Sequence, residues 1–114
     1  MIELRLCLQA RPQQTQPLVA ALRSLARSAR LERGCLEAHL FVESDDSRRL
    51  CYSEVWDVEE NLRSMLRSKR FTHLVELMEM AAEPPSLDFR TITETRGIEF
   101  ARQARSGQNA LWPE

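Results

Sequence analysis

The sequence has few cysteines, few histidines and few glycines for its 114 residues. Its three cysteines, Cys7, Cys35 and Cys51, are odd in number and no two have the C-x-x-C spacing, so neither a disulfide framework nor a zinc site is expected. His39 and His73 are too far apart to form an i, i+4 ligand pair, and three scattered glycines cannot build a phosphate-binding loop. We therefore expect no metal ion.

An excess of charge and a long apolar run are also absent. Sixteen Lys and Arg residues stand against 17 Asp and Glu residues, which gives a net charge of -1. The sequence therefore predicts no broad attraction to nucleic acid or to an anionic membrane surface. No segment approaches the ~20 apolar residues of a membrane span, and the N-terminus lacks the apolar run of a signal peptide. We expect a cytoplasmic protein that binds neither nucleic acid nor membrane.

The first half of the chain alternates between strand and helix patterns. Apolar and polar residues alternate from Ile2 to Gln9, which predicts a strand with one buried face. Apolar residues at helical spacing predict a one-sided helix over about 16–32, with Gly34 as its stop. A strand over 35–43 and a strand over 49–56 flank a short turn cluster, so they form an antiparallel hairpin.

The second half repeats the order with a helix and a strand. A helix begins after Asp57, is interrupted near 68–70 and ends before Pro84-Pro85. A fourth strand over 87–94 follows, and 98–104 form a short helix. This order predicts an α+β, ferredoxin-like β-α-β-β-α-β fold, with a four-stranded antiparallel sheet and both main helices on one face. Residues 1–96 make this domain. Residues 97–114 are an extension expected to dock on its own or a partner subunit through apolar side chains at Ile98, Phe100, Leu111 and Trp112.

The second face of such a sheet lacks a cover within one chain. It must carry some of the apolar strand residues, which include Cys35, Phe41, Tyr52 and Trp56. A sheet with apolar residues on both faces needs a second layer. A homodimer that packs sheet on sheet supplies it.

A candidate site lies on the third strand. Tyr52, Glu54 and Trp56 share one sheet face by the period of two, and His39 joins them if the hairpin pairs it with Tyr52. Such an aromatic wall could hold a planar phenol, with His39 and Glu54 as the catalytic proton acceptors. The alternative is that Tyr52 and Trp56 form dimer core.

In that alternative, Glu54 pairs with an arginine such as Arg5 or Arg90.

A basic stretch on the second helical region contains Arg63, Arg67, Lys69 and Arg70. Acidic residues offset its charge, so we interpret it as a solvated helix face. Phe71 and His73 follow that stretch and are further candidates for contact with a substrate.

Three segments in order resemble a known family. They are Arg30–Leu36 with Gly34-Cys35, then Ser53–Asp57, then the helix with Glu60 and Ser68–Phe71. Over about residues 1–95 the sequence resembles the antibiotic biosynthesis monooxygenase family of dimeric ferredoxin-like α/β barrels. The resemblance implies a homodimer and a cofactor-independent monooxygenase of a small aromatic, phenolic or quinol substrate.

The departures from the family pattern favour an alternative. Met65 and Arg70 stand where the family's helix commonly has its two histidines. This implies a non-catalytic dimer of the same fold that binds a small molecule or acts under stress. The haem-degrading branch of the family is disfavoured, because Arg5, a helix without Trp and the spacing of His73 all differ from its pattern.

Overall fold

The computed structural model describes residues 1–106 of the chain. They form one four-stranded antiparallel sheet in the order β2-β3-β1-β4. The strands are β1 (Ile2–Gln9), β2 (Cys35–Val42), β3 (Arg49–Trp56) and β4 (Ser86–Thr91). The helices are α1 (Thr15–Arg30), α2 (Glu59–Leu66), α3 (Lys69–Met78) and α4 (Ile98–Ala104). The predicted α+β ferredoxin-like fold is confirmed.

Helix α1 covers the sheet with one apolar stripe. A short 3₁₀ turn at Pro12–Gln14 precedes it, so the helix begins within one residue of its predicted start. The buried side chains recur at helical spacing and are Leu18, Leu22, Leu25, Ala26 and Ala29. Gly34 then turns the chain into β2 with a φ of 91°, a conformation that favours glycine. A Cβ at Gly34 would also collide with Asn61 and Asp57.

The second helical region is divided, as the sequence predicts. Helix α2 ends at Leu66, and Ser68 begins α3 as its N-cap, with its side-chain oxygen accepting from the backbone N–H of Phe71. The break between α2 and α3 changes the direction of the chain. It brings the first turn of α3, which carries Arg70, close to the sheet.

The two faces of the sheet differ in composition. Residues of β1 at even positions lie under the helices, and β3 presents Tyr52, Glu54 and Trp56 to the same interior. Tyr52 and Trp56 are 1% exposed within the single chain, so the alternative that they form dimer core is wrong. The opposite face, which we call the open face, carries polar and thiol side chains together with the exposed Phe41 and the half-buried Val55.

The C-terminal part of the described chain leaves the sheet. Helix α4 buries no side chain, and Ile98 and Phe100 are about half exposed. The guanidinium of Arg96 lies 4.8 Å from the centre of the Phe100 ring. Leu111 and Trp112 lie outside the described residues. None of the helices within 1–106 is long and apolar enough to cross a membrane.

Candidate functional site

A buried carboxylate stands at the centre of the interior face of β3. Glu54 is fully buried, and its two strand neighbours on the same face both donate to it. The Tyr52 hydroxyl lies 2.5 Å from Oε2, and the Trp56 indole Nε1 lies 3.1 Å from Oε1. The alternation of a strand is what brings all three side chains to one side. Such donors are required, because burying an unpaired carboxylate is costly.

Arg70 connects this carboxylate to a second one near the surface. Its Nη1 lies 2.5 Å from Oε2 of Glu54, while Nε and Nη2 each lie 3.0 Å from an oxygen of Glu32. The Arg70 side chain is 11% exposed and that of Glu32 is 39% exposed. Burial works to lower the pKa of Arg70, but the hydrogen bonds to Glu32 and Glu54 outweigh it and raise that pKa. One guanidinium is therefore fixed between two carboxylates.

Burial and the Glu54 charge keep the Tyr52 phenol and the Cys35 thiol protonated. Burial raises the pKa of the Tyr52 phenol far above its ordinary value, and the Glu54 charge raises it further. Burial also raises the pKa of the Cys35 thiol to about 11, again with a contribution from Glu54. Tyr52 can therefore donate a hydrogen bond near neutral pH, but it cannot act as a base.

We call Glu54, Arg70 and Glu32 the charged row. A cleft of about 380 Å³ opens beside it. It lies between the turn after α1 and the helix α2. Its walls combine apolar, hydroxyl and charged side chains, namely Glu32, Arg33, Trp56, Asn61, Ser64, Met65 and Ser68. The cleft thus brings together an aromatic side chain, a carboxylate that reaches solvent and a guanidinium. Its volume lies within the range of small-molecule sites in proteins.

His39 does not join this group. The hairpin pairs it with Ser53, while Leu40 pairs with Tyr52, so His39 points to the open face. The condition under which His39 would meet Tyr52 and Glu54 is therefore not fulfilled. The His39 ring lies 5.9 Å from that of Phe41. It also lines a separate groove of about 280 Å³ together with arginines of α1, which are Arg23, Arg27 and Arg30.

The two candidates on α3 also lie apart from the cleft. Phe71 is half-buried and packs against the hydrophobic core, and His73 is exposed on the helix surface. Neither is among the residues that line the cleft. Within 1–106 the structure contains no cluster of three or more His, Cys, Asp or Glu side chains that could hold a metal ion.

Sequence reasoning missed Arg70 and Glu32. Glu54 is paired with an arginine, but that arginine is neither Arg5 nor Arg90, because both belong to the open face. The solvated-face interpretation of the basic stretch is wrong for Arg70. The available signal was its position, since it replaces a histidine of the family pattern.

Comparison with known proteins agrees with this architecture. The family model described as antibiotic biosynthesis monooxygenase matches residues 1–77, more than half of the chain. No curated protein matches the sequence.

Several solved structures share the fold. One, an antibiotic biosynthesis monooxygenase, is 21% identical, with 82% of this chain and 100% of that chain covered and a TM-score of 0.71. A candidate antibiotic biosynthesis monooxygenase from Deinococcus radiodurans is 18% identical, with 86% and 98% covered and a TM-score of 0.78. Rv0793 from Mycobacterium tuberculosis is 18% identical, with 84% and 98% covered and a TM-score of 0.73. At these identities the likeness concerns the fold.

Proposed function

The chain belongs to the antibiotic biosynthesis monooxygenase family, and we propose that it is a cofactor-independent monooxygenase of a small aromatic phenol or quinol. The observation that carries this proposal is the cleft beside α2, which combines Trp56 and Met65 with Glu32 and Arg33. The apolar side chains suit an aromatic ring, and the Glu32 carboxylate and the Arg33 guanidinium suit its hydroxyl group.

Glu32 is the proposed proton acceptor. Two of its lone-pair positions are taken by Arg70, and a carboxylate has about four, so acceptor capacity remains. Its partial exposure in the cleft wall makes it reachable by a substrate hydroxyl, whereas Glu54 is enclosed by its three donors. The Arg33 guanidinium favours the phenolate that results, because a nearby positive charge stabilises the anion.

The proposed reaction uses the electrons of the substrate. Deprotonation makes the ring electron-rich, and the phenolate then passes electrons to O₂. One oxygen atom enters the product, and the other leaves as water with hydrogens that the substrate provides. Glu54 and Tyr52 are positioning residues in this account, since they hold Arg70 and Trp56 and contact no substrate.

An oxygen electrode tests the proposal with a panel of hydroquinones and polyketide phenols. We expect at least one compound to give oxygen uptake proportional to protein concentration and lost on heat denaturation. Absence of uptake above the denatured control with every compound contradicts the proposal.

A second candidate is a non-catalytic protein that binds a small molecule in the same cleft. Arg70 favours it, because this residue stands where the family often has a histidine and is fully engaged by two carboxylates. A thermal-shift titration with the same compounds separates the two functions. Stabilisation by a compound that gives no oxygen uptake favours binding alone.

We also propose a homodimer that packs the open sheet faces together. The main helices cover one face, and the other carries the exposed Phe41 and the half-buried Val55, Cys7 and Cys51. A second copy would cover these side chains.

A further inference from the structure

Three arginines form a row on one side of helix α1. Arg23, Arg27 and Arg30 stand at i, i+4 and i+7, so their side chains share one face and follow about 10 Å of the helix axis. All three are exposed. They line the groove of about 280 Å³ between α1 and the edge strand β2. The row therefore gives this groove a positively charged wall.

The charge of the row is not neutralised within the described chain. Helix α1 contains no Asp or Glu, and no acidic side chain lines the groove. The ion pairs within residues 1–106 involve other arginines, so none of these three guanidiniums pairs with a carboxylate there. The chain as a whole has a net charge of -1, so the positive groove is a local feature rather than the result of a basic composition.

The edge strand adds a backbone donor to the same groove. The Ala38 carbonyl oxygen accepts a hydrogen bond from Nε of Arg30 at 2.9 Å. Directly after β2, the Glu43 N–H donates to the Arg49 carbonyl oxygen, so the odd-numbered residues of β2 are the ones that bond to β3. Leu40 lines the groove and belongs to the even set. Its N–H therefore points outward, where the sheet has no further strand.

We propose that this groove binds a diphosphate group, either as free pyrophosphate or as the diphosphate end of a small organic molecule. Guanidinium groups match phosphate oxygens in bidentate pairs, and an outward N–H donates to the same kind of oxygen. Arg30 uses Nε for Ala38 and keeps both Nη atoms for the ligand. Two linked phosphate groups spread their charge over a greater length than one phosphate, which suits a row of three guanidiniums.

This binding site is separate from both other proposals. No residue of the groove lines the cleft beside α2. The arginines lie on α1, which covers the interior side of the sheet, so a dimer that packs the open faces together leaves them accessible. His39 also borders the groove, but its side chain belongs to the open face and the site does not depend on it.

Isothermal titration calorimetry of the full-length protein with sodium pyrophosphate, at constant ionic strength, tests the proposal. We expect saturable binding of one pyrophosphate per chain, with inorganic phosphate at least about tenfold weaker. Adenosine diphosphate in the same titration separates the two sources of the group. Tighter binding than pyrophosphate assigns the diphosphate end of a larger molecule, and weaker binding assigns the free ion.

Three variants locate the site. Arg23→Gln and Arg27→Gln should each weaken pyrophosphate binding at least about tenfold, as expected for the loss of a charged hydrogen bond. Arg67→Gln is the control, because Arg67 is exposed at the end of α2 and has no ion pair within residues 1–106. It should bind as the wild type does. All three proteins should unfold at the wild-type temperature, since the substituted side chains are exposed.

Nuclear magnetic resonance of the backbone amides gives a second measurement of position. We expect pyrophosphate to shift the Leu40 N–H signal in the wild type and to leave it unchanged in Arg27→Gln at the same concentration. Absence of pyrophosphate binding, or wild-type affinity in both Arg23→Gln and Arg27→Gln, would overturn the proposal. Equal weakening by Arg67→Gln, or shifts confined to the cleft beside α2, would overturn it as well.

Discussion

Glu54 brings a negative charge into the interior of the protein, where Arg70, Tyr52 and Trp56 surround it. Removing two charges from water costs several kcal/mol per ion, and their attraction offsets this cost when the geometry is good. Loss of one partner is costlier than loss of both, because it leaves an uncompensated charge. The charged row is therefore expected to fix the positions of its neighbours around the cleft.

Substitution of Glu54 tests this role. Glu54→Gln keeps the shape of the side chain but removes the charge that Arg70 contacts, and we expect a loss of about 1–3 kcal/mol in the free energy of unfolding. Glu76→Gln on the exposed side of α3 is the control and should change it by less than about 0.5 kcal/mol. Chemical denaturation measures both. An unchanged Glu54→Gln protein would argue against a structural role.

The stability should fall at alkaline pH. Burial raises the pKa of Cys35 from 9.0 in a free thiol to about 11, so between these values the folded state binds more protons than the unfolded state. Stability decreases with pH in such a window. We expect the urea midpoint to fall as the pH rises from 9 to 11 and to fall less steeply in Cys35→Ala. Identical slopes in the two proteins would contradict this.

Part of the site could be predicted from the sequence. The period of two predicted that Tyr52, Glu54 and Trp56 share a face and left an arginine as one possible partner of Glu54. Arg70 could not be identified, because it comes from a helix and its contact depends on tertiary packing. The failure for His39 has a different cause. A register difference of one residue moves a strand side chain to the opposite face, and no residue of the turn specified that register.

At the scale of elements, patterned segments were predicted to within a few residues. The strand β3 and the helix α4 have the predicted bounds, and α1 ends two residues earlier than predicted. Strand β4 ends at Thr91 rather than near residue 94, because its ladder with β1 stops opposite Ile2. Strand ends depend on the partner strand, which a local pattern does not reveal.

The packing of α1 can be tested by placing a charge in its apolar stripe. Leu22 is fully buried, so Leu22→Asp puts an unpaired carboxylate in the core at a cost of several kcal/mol. This approaches the whole stability of a typical domain, and we expect the protein not to fold. Ala20→Asp on the exposed side of the same helix is the control. Circular dichroism compares them, and a stable Leu22→Asp protein would refute the packing.

At the scale of the whole molecule, residues 1–106 leave two surfaces uncovered, the open sheet face and α4. Ile98 and Phe100 are exposed, and α4 buries none of its residues in the described chain. Of the two expected docking sites for the extension, the partner subunit is therefore the one we favour. The extension would then contribute to the stability of the proposed dimer.

Light scattering at micromolar concentration tests the dimer and the extension together. We expect the mass of a dimer for the full chain and a larger monomer fraction for a chain that ends at Gly97. The double substitution Ile98→Ser and Phe100→Ser should act like the truncation, and Gln103→Ser on the same helix should have no effect. A monomeric full chain contradicts the dimer. An unchanged mass and unchanged thermal unfolding of the truncated chain would mean that the extension is idle.

The central claim is that a small aromatic molecule reacts with O₂ in the cleft beside α2, and two serine variants test it most directly. Ser64 lines the cleft and is exposed, so Ser64→Phe should fill it without disturbing the core. Ser24→Phe adds the same side chain on the exposed side of α1, away from the cleft. With the best compound of the panel, we expect Ser64→Phe to lower the initial rate of oxygen uptake at least about tenfold, or about 1.4 kcal/mol of transition-state stabilisation. Ser24→Phe should keep the wild-type rate, and both variants should unfold at the wild-type temperature. Equal rates for the two folded variants would contradict the account.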